Sequence, residues 1–338
     1  TYNAEATILE CLESLNGQSY SGFEAVLIDN DSKDSTKSIV SSFKSRAKYP
    51  LKTVYSDKNT GFCLGNNLGL KYASGRYIAL LNPDARADVN WLKNLVDSMD
   101  RNSGVGICGS KVLTWDRGKI DSAGDMMLST FRAFKRESDD PGLYEAPEYV
   151  FGACAAGALY RREAIEEIGF FDEDFFIQCD DTDLNFRFQL AGWKVLYVPS
   201  AKISHKVSAS IGRASEIGVY YSQRNMEFVK IKNVPLSVLI SCIPQMLVGY
   251  ATDFLYFGVK HLMWKTFLKA KIDAFKMLPV MLRKRKLIMR EIKKVDNRYI
   301  SSLITPLSVI KRDFLALKMR RVFKTPSFGS RAGKKTYS

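Results

Sequence analysis

Arg76-Tyr-Ile-Ala-Leu-Leu-Asn-Pro-Asp84 is the stretch on which the reading of this chain turns. Residues 77–81 form a short apolar run, of the kind that fills a central strand covered on both faces. Pro83 has no N–H to donate to a ladder, so the strand stops there. Asp84 is thereby carried to the carboxyl end of a central strand, where open α/β sheets hold their ligands. A carboxylate in that place suits a divalent metal held against a diphosphate. A turn aspartate capping the helix that begins near residues 90–92 satisfies the same pattern.

On both sides of this stretch, strand and helix patterns alternate. Helices are expected over 4–15, from 32–34 to 43, and over 90–99; strands are expected over 24–28 and 51–55. A Gly/Asn loop over 59–67 feeds a further helix to residue 72. Such alternation implies a parallel sheet, with Asp29 and Asp84 along one edge of it. After residue 105 the pattern changes. A strand runs to 114, and loops with short strands follow over 116–150. A helix is expected over 162–168, an aromatic, acidic loop from 170, and a helix stopping at Gly192. A strand from 193 continues in extended form to His205, and an amphipathic helix covers 220–232. Thr1-Tyr2-Asn3 reads as the end of a strand whose earlier residues are absent from this sequence.

The chain has 338 residues, 46% of them hydrophobic and 25% charged, enough for a real core. Its net charge of +14 is unevenly spread. Residues 260–338 hold 22 bases against 4 acids, while residues 1–259 are slightly acidic. A basic C-terminal segment points to an anionic surface, membrane or nucleic acid, but no nucleic-acid-binding motif accompanies it. The six cysteines are scattered without a C-x-x-C pair, which reads as reduced thiols in a cytosolic setting. Two histidines are too few for an ordinary zinc site.

Four acidic clusters are candidates for chemistry. Asp29-Asn30-Asp31 and Asp84 each follow a strand, Asp172-Glu173-Asp174 lies in the aromatic loop, and Asp180, Asp181 and Asp183 open a helix. Adjacent carboxylates in apolar company raise one another's pKa, which suits a general base. Helix capping is the competing account of Asp180 and Asp181. The flanking Phe171, Phe175 and Phe176 favour Asp181 as a base beside an aromatic pocket wall. Asp183 reads as the i,i+4 partner of Arg187. His205 follows a strand and is either a ligand or a structural histidine. Asn59, Gly61, Gly65, Asn66 and Asn67 suit a cradle for phosphate or ribose, and turn chemistry explains them equally well.

Taken in order, these pieces form a pattern. Tyr2-Asn3, Asp29-Asn30-Asp31-Ser32-x-Asp34, Asn59-x-Gly-Phe-x-x-Gly-Asn-Asn67 and Leu81-Asn-Pro-Asp84 come first. Gly169-x-Phe-Asp-Glu-x-Phe-Phe176, Asp180-Asp-x-Asp-Leu184 with Arg187, and Tyr197-Val-Pro-x-Ala-x-Ile-x-His205 complete it. The set resembles family 2 glycosyltransferases of the GT-A fold, in particular the rhamnosyltransferase- and galactofuranosyltransferase-like branch, over essentially residues 1–233. The resemblance implies an α/β, Rossmann-like fold with a mostly parallel sheet flanked by helices, and inverting transfer from a nucleotide-diphospho-sugar. It implies that Asp29 and Asn30, helped by Thr1, Tyr2 and Asn3, meet the nucleotide, with Asn59, Gly61, Asn66, Asn67 and Asn82 nearby. Asp84 matches the last carboxylate of the family's D-x-D metal motif, and His205 a further metal ligand for Mg²⁺ or Mn²⁺. Asn82 stands where the first acid of that motif is found, which leaves fewer charges around the metal. Asp181 matches the catalytic base, with Asp180 beside it. Competing expectations are an inactive glycan- or membrane-binding relative and a nucleotidyltransferase of similar fold.

Residues 234–326 are expected to form a membrane-associating helical region, and 327–338 a disordered tail. The nearly uncharged stretch 234–258 is about 25 residues, long enough to cross a bilayer at 1.5 Å each. Pro235, Pro244, Gln245 and Asp253 argue against a span. Basic residues among apolar ones, such as Lys265, Lys269, Lys284 and Arg285 with Phe267, Leu268 and Phe275, favour lying in an anionic membrane surface. The expected place is the cytoplasmic face of the cell membrane, the acceptor a glycan or polyprenyl-lipid-linked saccharide of the cell surface.

Overall fold

A computed structural model describes residues 1–206 and 215–309. The tail expected over 327–338 lies outside the described residues. The first third alternates as the sequence predicts. Helix α1 (Ile8–Asn16), strand β1 (Ala25–Asp29), helix α2 (Thr36–Lys44) and strand β2 (Leu51–Tyr55) come first, followed by helix α3 (Gly61–Tyr72) and strand β3 (Tyr77–Leu81). A short strand β4 (Ala85–Ala87) and helix α4 (Trp91–Arg101) complete it. The Gly/Asn segment departs from expectation. It is helical from Gly61 onward, because Asn59 and Asn30 supply the hydrogen bonds that start a helix there.

Strand β5 (Val105–Thr114) is the centre of the main sheet. After it come β6 (Ile120–Ser122), β7 (Asp125–Leu128), β8 (Ala133–Lys135), β9 (Glu148–Val150) and β10 (Gly157–Arg161), of which β7 and β8 pair in a separate sheet. Helices α5 (Arg162–Ile168) and α6 (Asp180–Ala191) lead to the long strand β11 (Lys194–His205). The sheet order is β3-β10-β5-β11-β4, with β6 added to β5 and β9 to β11. The α/β class holds, but the pairing is mixed. Among the described residues of the main sheet only β5·β11 runs parallel, while β10 is antiparallel to both neighbours, β3 and β5; the separate pair β1·β2 is also parallel. The reason is the route of the chain. It reaches β10 through the strands and loops of 116–156, without the crossover helix that usually returns a strand in parallel.

Strands β1 and β2 form a separate two-stranded sheet, so Asp29 and Asp84 do not end strands of one sheet. Thr1 flanks β1 instead, donating its amino group to Ile28 O at 2.6 Å and accepting from Asn30 N at 2.8 Å. Cys11 of α1 lies between the two segments, its thiol 3.5 Å from Asn82 O.

Both faces of the main sheet are covered. Trp91, Leu95 and Met99 of α4 pack with Cys108, Val112 and Ile203 on one side. Phe186, Phe188 and Leu190 of α6 pack with Ile107, Tyr160 and Val195 on the other. At Gly106 a Cβ would lie 2.6 Å from the Phe188 ring, so only glycine lets α6 sit this close. That seating fixes where α6 begins, and with it Asp180 and Asp181.

Helix α7 (Glu216–Asn233) crosses α6 and carries helices α8 (Leu236–Ser241) and α9 (Ile243–Asp253), a π-helical segment (Phe254–Lys260), α10 (Trp264–Lys276) and α11 (Leu278–Leu287). The uncharged stretch is thus broken into short pieces, with prolines at or beside the helix starts, where a missing N–H is harmless. Among the described residues no helix is long and apolar enough to cross a membrane. Asp253 points inward, ion-paired with Arg132. Two of the basic residues expected at a membrane also turn inward. Lys284 pairs with Asp172 and Asp174, and Arg285 donates to Ile231 O and Val234 O at 2.8 and 2.6 Å. Buried carboxylates and helix-end carbonyls attract them more strongly than solvent does.

Candidate active site

Asp29, the last residue of β1, is buried. Its Oδ1 accepts from Ser32 N at 2.9 Å, while its Oδ2 has no hydrogen-bond partner. The hydroxyl of Thr1 is buried and unpartnered as well. Buried polar atoms are ordinarily satisfied, and these two orphans belong to β1 and to the Thr1 segment hydrogen-bonded beside it. The neighbouring asparagines are spent on the protein. Asn30 donates to Asn59 Oδ1 and Gly61 O at 3.1 and 2.9 Å, and accepts from Thr60 N at 2.9 Å. Asn3 accepts from Lys33 N at 2.8 Å, and Tyr2 beside it is partly exposed.

The start of α3 is not an open phosphate cradle. Gly61 N donates to Asn59 Oδ1 and Phe62 N to Phe176 O, at 2.9 and 2.8 Å. Gly61 has φ +82°, and a Cβ there would lie 2.5 Å from Phe176. Its freedom therefore serves the contact with the acidic loop. Asn66 donates to Phe62 O at 2.8 Å, and Asn67 exchanges two hydrogen bonds with the backbone of Phe171. These residues brace the site from behind.

Asp84 and His205 come together through register. Strand β4 pairs antiparallel with the end of β11, placing His205 opposite Ala85. The His205 Nε2 lies 3.2 Å from Asp84 Oδ1 and 3.4 Å from Asn82 Nδ2. The other ring nitrogen, Nδ1, faces Asp121 Oδ2 at 4.0 Å, and Lys135 Nζ holds that same oxygen at 2.7 Å. Burial works against charge on His205, yet Asp121 and Asp84 outweigh it and push its pKa up to about 9. Burial also resists charge on Asp121, but His205 and Lys135 hold its carboxyl well below the usual range. Asp121 and Lys135 fall in the segment where the sequence was least legible. The available signal was Asp121 and Asp125, two acids four apart in an otherwise apolar run.

Among the described residues no three His, Cys, Asp or Glu side chains gather as a ready-made metal site. The donors that do meet are a carboxylate and an imidazole whose far nitrogen faces a second carboxylate. Metal-bound histidines use that arrangement, and water and phosphate oxygens complete many Mg²⁺ shells. Asp84 and His205 are donor types that would suit a divalent cation, and Asn82 would add an amide in place of a charge.

Asp180 and Asp181 open α6, and the turn before them is forced. Gln178 and Cys179 have φ +68° and +59°, a conformation that costs a non-glycine residue about 1–2 kcal/mol. Fully buried Asn225 of α7 secures it, donating to Ile177 O and Gln178 O at 2.7 and 2.8 Å. Asp181, in the first turn of the helix, accepts from the adjacent Thr182 N at 2.7 Å. Burial and its neighbour Asp181 push the Asp180 carboxyl up to about 8. Burial raises Asp181 too, while Lys135 opposes the rise. Asp125 is pushed up to about 7 by burial and by Asp181. Asp183 instead joins Arg187 at 2.9 Å, Lys232 and Asn233 at 2.7 Å each, the structural role its spacing predicts.

The aromatic wall is narrower than expected. Phe175 is fully buried against Phe228, and Phe171 packs on Phe62 and Phe170. Only Phe176, stacked on Tyr221, is partly exposed. The signal of three phenylalanines was mostly core.

Comparison with known proteins extends this picture. The family model of glycosyl transferase family 2 matches residues 1–169. The chain is 29% identical over 165 residues to the N-acetylglucosaminyl-diphospho-decaprenol L-rhamnosyltransferase of Mycobacterium tuberculosis, covering 43% of this chain and 52% of that protein. It thus spans about half the length of that relative. Among solved structures, GalNAc-T7 with UDP, GalNAc and Mn²⁺ superposes with a TM-score of 0.57 at 14% identity, over 85% of this chain and 54% of that one. S. aureus TarS 1-349 gives a TM-score of 0.53 at 18% identity, over 89% of this chain and 90% of that one. At these identities the likeness is one of fold.

Proposed function

The chain belongs to glycosyl transferase family 2, and from that premise we propose that it moves a sugar from a nucleotide-diphospho-sugar to a hydroxyl of a glycan or lipid-linked acceptor, with inversion. One observation carries this reading. Asp84, His205, Asp121 and Lys135 stand in succession, with 3.2, 4.0 and 2.7 Å between neighbours. The charge of Lys135 also opposes the rise in the pKa of Asp181, the candidate base.

In this reading Asp29 Oδ2 and Thr1 Oγ1 take hydrogen bonds from or give them to the nucleotide. Asp84 and His205 would hold a divalent cation, Mg²⁺ or Mn²⁺, which when bound neutralises the departing diphosphate. Asp181 removes the proton from the acceptor hydroxyl as its oxygen bonds to the anomeric carbon, and the bond to the diphosphate breaks on the opposite face. A carboxyl raised above the ordinary range by burial is a stronger base once ionised, which suits that task. No covalent enzyme intermediate is needed. The relative that makes a decaprenol-linked product supports a polyprenyl-linked acceptor, and hence a place at the cytoplasmic face of the membrane in cell-surface glycan synthesis. Exposed apolar side chains on the C-terminal helices support the same location. Leu247, Leu255, Leu262 and Phe275 stand in solvent, close in sequence to exposed Lys265, Lys269, Arg283 and Lys286.

Asp181→Asn tests the assignment. The expected result is loss of transfer by about 100-fold or more with nucleotide binding retained. Undiminished transfer removes Asp181 as the base.

A further inference from the structure

Asp121 and Lys135 lie on strands with no expected role. Asp121 sits in the middle of β6, which is tied on one side to β5 and on the other to the 136–138 segment by Ile120 N to Ser138 O at 2.8 Å and Ala123 N to Arg136 O at 3.0 Å. Its backbone is therefore fixed from both edges. Lys135 ends β8, directly opposite Asp125 of β7. The Asp121 side chain is 4% exposed and that of His205 9%, so neither is free to reorient into water.

We propose that Asp121, pinned by Lys135, is a positioning residue that fixes the His205 ring so that its Nε2 faces Asp84. The inference rests on the reading of Asp84 and His205 as cation ligands. The geometry supplies the argument. Asp121 Oδ2 lies 4.0 Å from Nδ1, which makes no hydrogen bond, and Asp84 Oδ1 lies 3.2 Å from Nε2, so a ring flip would turn a carbon toward a carboxylate at both ends. The negative charge of Asp121 at 4.0 Å favours the proton on Nδ1, which leaves the Nε2 lone pair for a cation. Lys135 prevents two carboxylates from facing one imidazole without a counter-charge, and its 2.7 Å bond holds Asp121 in the orientation the ring requires. A simple buried ion pair between Asp121 and Lys135 would stabilise the fold but leave cation binding unchanged.

The experiment uses the full chain and Mn²⁺ itself, with binding followed by electron paramagnetic resonance, beside ¹⁵N resonances of the imidazole rings. Only one other histidine, His261, is present, so His205→Gln assigns the His205 signals. Asp121→Asn is expected to weaken Mn²⁺ binding roughly 10–100-fold and to shift the His205 ring nitrogens. Lys135→Met is expected to act in the same direction, and Lys135→Arg to restore most of the affinity. The Mg²⁺-loaded wild-type protein, which needs no variant to fold, is expected to carry its His205 proton on Nδ1; a bare Nδ1 overturns the proposal. Mn²⁺ binding that Asp121→Asn leaves untouched in a folded variant overturns it alone. Absence of Mn²⁺ binding in the wild type overturns the cation reading and this inference with it.

Discussion

Asp180 and Asp181 form a coupled pair whose protons belong to the two together. Asp180 is held at about 8, so between the ordinary carboxylate range and that value the folded chain keeps a proton that the unfolded chain has released. Stability contributed by this group is full below about pH 4 and is lost as pH rises through 8. Asp180→Asn should therefore gain thermal stability over the wild type progressively from pH 5 to 8.5, by at least a few degrees at the upper end; thermal melts across pH check this, and a pH-independent difference would contradict it. Transfer by the wild type should rise with pH as Asp181 loses its proton, on a limb that burial moves above the ordinary carboxylate range. Asp180→Asn should leave that limb near its place, because burial and not Asp180 sets the rise of Asp181. At the other end of the site, Asp29→Ala removes a charged acceptor. Nucleotide affinity, read by calorimetry, should fall about 10–100-fold. The orphan oxygen of Asp29 was not legible in the sequence, since orphaning depends on what the fold places nearby. Asp183 was legible, because its partner Arg187 lies one helical turn away.

Helix α6 starts where it does because α7 holds the turn before it. Asn225 secures two carbonyls of that turn, and Lys232 joins Asp183 and Asp172 while itself buried. The amphipathic pattern revealed α7 as a helix but not its task, which depends on contacts 47 to 60 residues distant in sequence. Removing one member of a buried ionic cluster leaves uncompensated charge. Lys232→Met should cost about 3–5 kcal/mol of stability, measured by urea unfolding. Asn225→Ala should cost less stability but a larger share of activity, because the left-handed turn at Gln178 and Cys179 loses its clamp and Asp181 its position. Equal effects on melting temperature from the two variants, with activity intact in Asn225→Ala, would deny α7 that role.

Across the molecule, charge and apolar surface divide unevenly. The basic C-terminal helices spend Lys271, Lys284 and Arg285 on internal contacts, yet leave Lys265, Lys269, Arg283 and Lys286 exposed. The protein should sediment with anionic liposomes and less with neutral ones, and lose binding as salt rises. Replacing Leu255, Leu262 and Phe275 together by serine should release it. Binding to duplex DNA at moderate salt, with none to liposomes, would overturn that view. A thermal-shift screen of UDP-, dTDP- and GDP-sugars should find one stabilising donor, more strongly so with Mn²⁺. A shift indifferent to metal would count against Asp84 and His205 as its ligands.

Local rules were enough for the alternating first third, the strand ending at Leu81 and the helix beginning at Asp180, because apolar periodicity, proline and glycine act within a few residues. The ordered motifs also carried the family. Local rules could not yield the antiparallel insertion of β10, the separate β1–β2 sheet, the inward-facing lysines, or the meeting of Asp84, His205, Asp121 and Lys135. Each of those depends on strand register and burial between segments far apart in the chain, where a side chain's partner is set by packing and not by its neighbours in sequence.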